Sequence, residues 1–285
     1  MPLDYNLIKN WTFPDVVQEY TVKDSILYAL GIGLGQDPLD ENQLQFVYEK
    51  NIKAFPTMAV VLGYPGFWMQ DPAAGITWVK LVHGEQRTTI HQPLPASGKL
   101  TGKIRVSHVI DKGADKGALV ITERKLYDES DTLLATIEQT TFCRADGGFG
   151  ISDEPPPALP KVPDTAPDQV CELSILPQAA ILYRLNADPN PLHIDPAVAS
   201  AAGYPQPILH GLCTYGIAAH AIMRTFCDYD PARLVRFDTR FSSPVYPGET
   251  LVCEMWKRNE NEIQFQAKVK ERNIVVLSNG FAEIK

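Results

Sequence analysis

Ile208-Leu-His-Gly-Leu-Cys-Thr-Tyr-Gly-Ile-Ala-Ala-His-Ala-Ile-Met223 carries no charged side chain and is apolar on nearly every face. This predicts a helix over Leu209 to Phe226 that is buried on most sides rather than lying on a surface. Such a helix needs a wrapping layer, and the chain after it supplies one. Leu251 to Arg258, Glu262 to Lys270 and Asn273 to Glu283 each read as a strand of an antiparallel meander.

The N-terminal part looks like an earlier copy of this plan. Strand-type alternation recurs over Lys103 to Val109, Leu119 to Leu126 and Thr132 to Cys143, with a helical segment before it at Leu44 to Lys53. Two collinear matches tie the copies together. Tyr28-Ala-Leu-Gly-Ile-Gly33 shares its Tyr-x-Leu frame with Tyr183-Arg-Leu-Asn-Ala-Asp188, a displacement of 155 residues (28 to 183). Pro93-Leu-Pro-Ala-Ser-Gly-Lys-Leu100 matches Pro244-Val-Tyr-Pro-Gly-Glu-Thr-Leu251, a displacement of 151 (93 to 244). One buried helix wrapped by a curved antiparallel sheet, made twice, is an α+β double hot-dog architecture. Between the copies, Gly147-Gly-Phe-Gly150, Pro155-Pro-Pro157, Pro160, Pro163 and Pro167 form a stretch too rich in proline and glycine for a packed element. The expected division is residues 1–146, a linker over 147–170, and residues 171–285.

The chemistry concentrates in the second copy. Within Tyr183-Arg-Leu-Asn-Ala-Asp-Pro-Asn-Pro-Leu-His-Ile-Asp-Pro196, a carboxylate (Asp188), an amide (Asn190) and an imidazole (His193) fall within six residues. Pro189 and Pro191 fix φ and bias their neighbours to extended backbone, which limits the entropy lost in holding those side chains. Asp195-Pro196 is an N-cap and first-turn signature for a short helix ending at Gly203, so the acid–base residues belong to the loop before it. A carboxylate and an imidazole this close can share one water. Gly211 opens the buried helix, where first-turn N–H groups have no internal acceptor, an oxyanion-hole geometry. In the first copy Gly33 and Pro38 stand where Asp188 and His193 stand in the second, so that half lacks the pair.

Other signals are weaker. Gly31-Ile-Gly-Leu-Gly35 is not the Gly-x-Gly-x-x-Gly of dinucleotide sites and reads as a glycine-rich helix exit. His193, Asp195 and His210 have no common metal-site spacing, and Asp195 is explained as a cap, so no metal is expected. Over 285 residues the chain has 45% hydrophobic and 21% charged residues and a net charge of −8, which suits a globular protein and disfavours a nucleic-acid partner held by a basic patch. No apolar run approaches a membrane span. Five scattered cysteines with no Cys-x-x-Cys pair suggest reduced thiols. Met-Pro-Leu-Asp at the start does not read as a signal peptide and Ala-Glu-Ile-Lys285 is not a Ser-Lys-Leu address, so a cytoplasmic location is expected.

Tyr183–His193 with Pro207–Leu212 behind it resembles the signature of the hydratase 2 branch of MaoC-like (R)-specific enoyl-CoA hydratases. Tyr28–Gly35, His83-Gly-Glu-Gln86, Pro93-Leu-Pro95, Asp111-Lys-Gly113 and Gly147–Gly150 look like that family's N-terminal half, and Phe241-Ser-Ser-Pro-Val-Tyr-Pro-Gly248 like its C-terminal half. The resemblance implies reversible hydration of trans-2-enoyl-CoA to (3R)-3-hydroxyacyl-CoA without a cofactor, in a homodimer. It implies Asp188 and His193 as the catalytic dyad, Asn190 as a residue positioning it, the Gly211 N–H as thioester-oxygen donor, and substrate contacts at His83, Gly84, Lys112 and Phe241. The N-terminal half would house the acyl tail. One departure is that the family's usual Ser-Gly before the aspartate is Asn186-Ala187 here. Two other functions fit such a fold: a thioesterase attacking the carbonyl carbon, and a non-catalytic acyl-CoA-binding subunit. The Asp-x-Asn-Pro-x-His order favours hydration.

Overall fold

The structure, a computed structural model, describes residues 2–186 and 188–285. Ten strands are found among them: β1 (Val16–Tyr20), β2 (Leu81–Ile90), β3 (Gly98–Asp111), β4 (Ala118–Asp128), β5 (Leu133–Cys143), β6 (Gln169–Ser174), β7 (Leu234–Phe241), β8 (Thr250–Lys257), β9 (Glu262–Val269) and β10 (Ile274–Ile284). They form one sheet in the order β1-β3-β4-β5-β2-β7-β10-β9-β8-β6, all neighbours antiparallel. From the central β2–β7 seam outward, each strand of one half has its counterpart five strand numbers away in the other. The duplication is therefore written into the topology, and the fold is the α+β double hot dog.

The helices are α1 (Tyr5–Lys9), α2 (Val22–Gly31), α3 (Glu41–Val47), α4 (Ala179–Tyr183), α5 (Pro196–Ala201) and α6 (Gly211–Phe226). Helix α6 lies as the apolar run predicts, with every residue from Cys213 to Met223 buried. Its Tyr215 hydroxyl donates to the Phe237 carbonyl at 2.6 Å, and the Tyr215 and Phe237 rings meet edge-on at 4.8 Å. Phe237 stacks in turn on Phe265 at 4.7 Å, so helix and sheet share one core.

The counterpart of α6 in the first half differs from expectation. The helix expected over Leu44 to Lys53 ends at Val47, because Tyr48 turns to extended backbone and Asn51 takes the left-handed region (φ 58°). What fills the concavity is a 3-10 turn, Pro56–Val61, with all six side chains buried. It starts 155 residues before Gly211 (56 to 211), the displacement already given by Tyr28 and Tyr183. Pro56 therefore stands opposite Gly211, and a proline has no N–H to offer an oxyanion.

The two seam strands, β2 and β7, escape the reading of alternation. Leu81-Val-His-Gly-Glu-Gln-Arg-Thr-Thr-Ile90 carries polar residues on both faces, some of which pair across the seam and some within the strand. The Thr88 N–H donates to Asp238 Oδ1 at 3.3 Å, and Glu85 accepts from Arg240 at 2.6 Å and from Arg87 at 3.0 Å. Residues 144–168 contain no helix or strand but are tied down: Pro157, Lys161 and Thr165 carbonyls accept from Arg87, Gln264 and Trp256. β6 begins at Gln169, two residues inside the segment expected to be linker.

Candidate active site

Chain and fold converge on the loop after α4. Pro191–His193 forms a single 3-10 turn whose N-cap is Asn190; the Asn190 side-chain oxygen accepts the Leu192 N–H at 3.1 Å. Asn190 is exposed, so its part is to shape the turn that delivers His193. Asp195 accepts the Ala197 and Val198 N–H groups at 2.8 and 3.4 Å and Pro196 opens α5, as the cap signature predicts. The loop carrying the polar residues is thus held from both ends by short local caps. The Ala187 departure lies outside the described residues.

His193 is buried, and its Nδ1 lies 2.9 Å from the Ile208 carbonyl. A carbonyl only accepts, so Nδ1 carries the proton and Nε2 keeps its lone pair. Burial pushes the His193 pKa below its usual value, against the pull of Asp188, and the ring is a neutral base at pH 7. Asp188 is half-exposed, and Asp188, His193 and His210 each place one donor atom within 4.8 Å of the others. A water about 2.8 Å from each of two such atoms spans that gap.

His210 has a larger part than its sequence position implied. It is the N-cap residue of α6, almost fully buried, and its ring stacks on His193 with centroids 3.8 Å apart and planes tilted by 29°. Its Nε2 lies 3.3 Å from the Asp188 carbonyl oxygen and 4.0 Å from Oδ2. Burial, with His193 beside it, holds its pKa down to about 3, so it packs as a neutral ring. Asp188, His193 and His210 also stand at a spacing that could hold a metal ion, with Asp188 in the place the sequence reading weighed for Asp195.

Gly211 begins α6, so its N–H has no acceptor within the helix. A Cβ here would lie 3.2 Å from Phe241 Cε1, so the absence of a side chain is what lets Phe241 pack against the helix start. The Phe241 ring lies 4.5 Å from that of His83, on β2. Gly84 occupies the bulge between His83 and Glu85 in the β2–β5 register. Burial drives the His83 pKa down to about 4. Buried polar atoms without a partner gather here: His83 Nε2, His210 Nδ1 and the Tyr183 hydroxyl, Tyr183 lying 5.1 Å from His210. Lys112 stands apart on an exposed turn after β3, its N–H donating to the Gly117 carbonyl, and no contact among the described residues ties it to the dyad. The turn itself is anchored: Asp111 takes the N–H groups of Gly113, Gly148 and Gly150 at 2.7–2.8 Å, joining two motifs far apart in sequence. Gly31 ends α2 and Gly33 and Gly35 adopt positive φ, a glycine-rich helix exit as read.

Comparison with known proteins identifies the family. Residues 159–279 match the MaoC like domain, and residues 18–145 match the MFE-2 hydratase 2 N-terminal domain. The chain is 40% identical to enoyl-CoA hydratase 2, peroxisomal, of Arabidopsis thaliana, over 95% of this chain and 92% of that protein. A crystal structure of a MaoC-like dehydratase from Phytophthora capsici superposes with a TM-score of 0.88 at 36% identity, covering 99% of both chains. A Mycobacterium tuberculosis protein described as a double hotdog fold shares the fold alone, with a TM-score of 0.57 at 14% identity over 95% of this chain and 93% of that one. On sequence, fold and the two halves it matches, this chain belongs to the MaoC-like hydratase 2 family.

Proposed function

We propose that this chain is a hydro-lyase that reversibly hydrates trans-2-enoyl-CoA to (3R)-3-hydroxyacyl-CoA, with Asp188 and His193 acting on one water and Gly211 N–H on the thioester oxygen. The observation that carries the reading is the approach of the Asp188 and His193 donor atoms, within 4.8 Å, beside the free N–H at the start of α6. The Gly211 N–H polarises the thioester carbonyl, which draws electron density from C3. Water oxygen adds to C3 as His193 Nε2 takes one of its protons; the C2–C3 π pair moves onto the thioester as an enolate. A proton from the dyad then forms the C2–H bond, and the pair returns to its starting state. One oxyanion donor of this kind is worth roughly 3 kcal/mol of barrier. His83, Gly84 and Phe241 lie where the thioester region of the substrate would bind, and Lys112 would reach the CoA phosphates from its exposed turn.

The division into an N-terminal half, residues 1–146, that houses the acyl tail and a C-terminal half, 171–285, that supplies the dyad is part of the same reading. It is supported by Gly33 and Pro56 in the first half, which offer neither carboxylate nor N–H at the positions of Asp188 and Gly211. Among the described residues no helix is long and apolar enough to cross a membrane, and all five cysteines are free and buried. A reducing, cytoplasmic setting fits those thiols. A homodimer is the expected assembly.

Loss of enoyl-thioester absorbance with crotonyl-CoA, with no free thiol and a (3R) product, supports the reading. Asp188→Asn and His193→Ala should each lower kcat by roughly 1,000-fold, the middle of the range for a general acid–base group, with unchanged unfolding temperature. Thiol release would instead identify a thioesterase. A folded His193→Ala protein with full activity would overturn the dyad.

A further inference from the structure

Arg124 is buried without a counter-ion. It is 7% exposed, and among the described residues no carboxylate pairs with it. Its Nη2 donates to the Val60 carbonyl at 2.6 Å, its guanidinium lies 5.6 Å from the centre of the Tyr64 ring, and its Nε has no partner. Burial lowers its pKa only to about 10, so it stays a cation at neutral pH. A buried cation with an open donor is an expensive arrangement unless something supplies the missing acceptor.

A cavity of about 30 Å³ adjoins it, room for one or two waters. Its wall mixes apolar residues, Ile104, Ile137 and Trp68 among them, with Thr122 and Gln139 near Arg124 and Thr141 further along β5, under a strap that includes Tyr64 and Met69. This wall leads back to the active site. Thr141 stands opposite His83 in the β2–β5 register, and His83 touches Phe241, which covers Gly211. Burial raises the pKa of Tyr64, in the strap, and the Asp188 carboxylate adds to that rise. Arg124 itself stands opposite Ile137, four residues along β5 from Thr141. Four strand residues span about 13 Å.

We propose that Arg124 closes an acyl channel in the N-terminal half and receives a carboxylate at the far end of the acyl chain, so that the preferred substrates are trans-2-enoyl-CoA thioesters bearing an ω-carboxyl group. The proposal rests on the hydratase reading above. The cavity as it stands is too small for the chain, which must lift the Tyr64–Met69 strap. The substrate carboxylate takes the open Nε donor and neutralises the guanidinium, while Nη2 keeps the Val60 carbonyl. An unsubstituted chain of the same length leaves the cation unpaired and presents methylenes to Thr122 and Gln139.

The test compares kcat/KM of the full chain for trans-2-dodecenoyl-CoA, its ω-carboxyl analogue and the methyl ester of that analogue. The wild-type protein should prefer the ω-carboxyl thioester to the methyl ester by roughly 30-fold, the range of one charge-assisted hydrogen bond. In Arg124→Met the ratio of ω-carboxyl to unsubstituted kcat/KM should fall by a similar factor, and Arg124→Lys should restore part of it. The ester comparison needs no variant, so it decides the matter even if Arg124→Met fails to fold. Equal rates for acid and ester, or an Arg124→Met protein that loses both activities in proportion, would overturn the proposal. Crotonyl-CoA carries no ω-carboxyl group and reports on the hydratase reading alone: its hydration with no preference for the ω-carboxyl group among the longer thioesters sinks only the Arg124 assignment, and no hydration of any substrate sinks both.

Discussion

His193 shows how one residue's surroundings set its chemistry. The Ile208 carbonyl fixes its tautomer, the His210 ring covers one face, and burial disfavours its charged form. A histidine whose pKa is lowered stays an unprotonated base to lower pH than a free one. The acid limb of a kcat/KM–pH profile should therefore have its midpoint below 6.5, with activity lost as pH falls through it. A midpoint at or above 6.5 would mean that Asp188 outweighs burial. Asn190 acts one step removed: its side-chain oxygen caps the 3-10 turn that carries His193.

At the scale of elements, α6 does two jobs whose demands differ. Its first turn must leave an N–H open, and its middle must pack against α2 with no space between them. Gly216 makes that packing possible, since a Cβ there would meet Ile32 Cγ2 at 2.5 Å and the Tyr28 hydroxyl at 3.0 Å. Gly216→Ala should destabilise the protein by about 1–3 kcal/mol, as overpacking does, despite alanine's better helix propensity. Urea denaturation checks this, and an unchanged or raised midpoint would show that α2 can retreat. The strap over the first half, Pro56–Val61 and onward, is the element most changed between the copies. Where the second half has a sixteen-residue helix, the first has a six-residue turn, and the space so released lies next to the cavity at Arg124.

For the whole molecule, the buried histidines make stability depend on pH. Burial lowers His83 and His220 to about 4 and His210 to about 3, and lowers His193 as well. Below about pH 6.5 these groups take up protons in the unfolded chain but not in the folded one, so stability falls as pH falls, by up to about 1.4 kcal/mol per pH unit for each histidine. Asp238 works against this. Its burial raises it to about 6, so between its unfolded value and 6 the folded state binds the extra proton and stability rises as pH falls. Four histidines outweigh one aspartate, and the unfolding temperature should drop from pH 6.5 to pH 4.5. A flat profile would show that the histidines are protonated in the fold.

The amino-acid sequence by itself determined whatever depends on near neighbours along the chain. The turn that presents Asp188 and His193 follows from Pro189, Pro191 and the Asp195-Pro196 cap, and α6 follows from an uncharged apolar run. The duplication was legible from two short matches, but the counterpart of α6 was not: it was expected over Leu44 to Lys53, and the structure puts the turn from Pro56 there. Tertiary structure decided the rest. The β2–β7 seam joins residues about 150 positions apart, and Glu85 and Asp238 accept hydrogen bonds across it, so neither strand shows clean alternation. The stacking of His210 on His193 needs the α6 cap folded back onto the loop, and the isolation of Arg124 exists only once β4 and the Tyr64 strap enclose it. A lone arginine in a sequence reads as a solvated cation; only burial, which removes water and provides no carboxylate, turns it into a group in want of an anion.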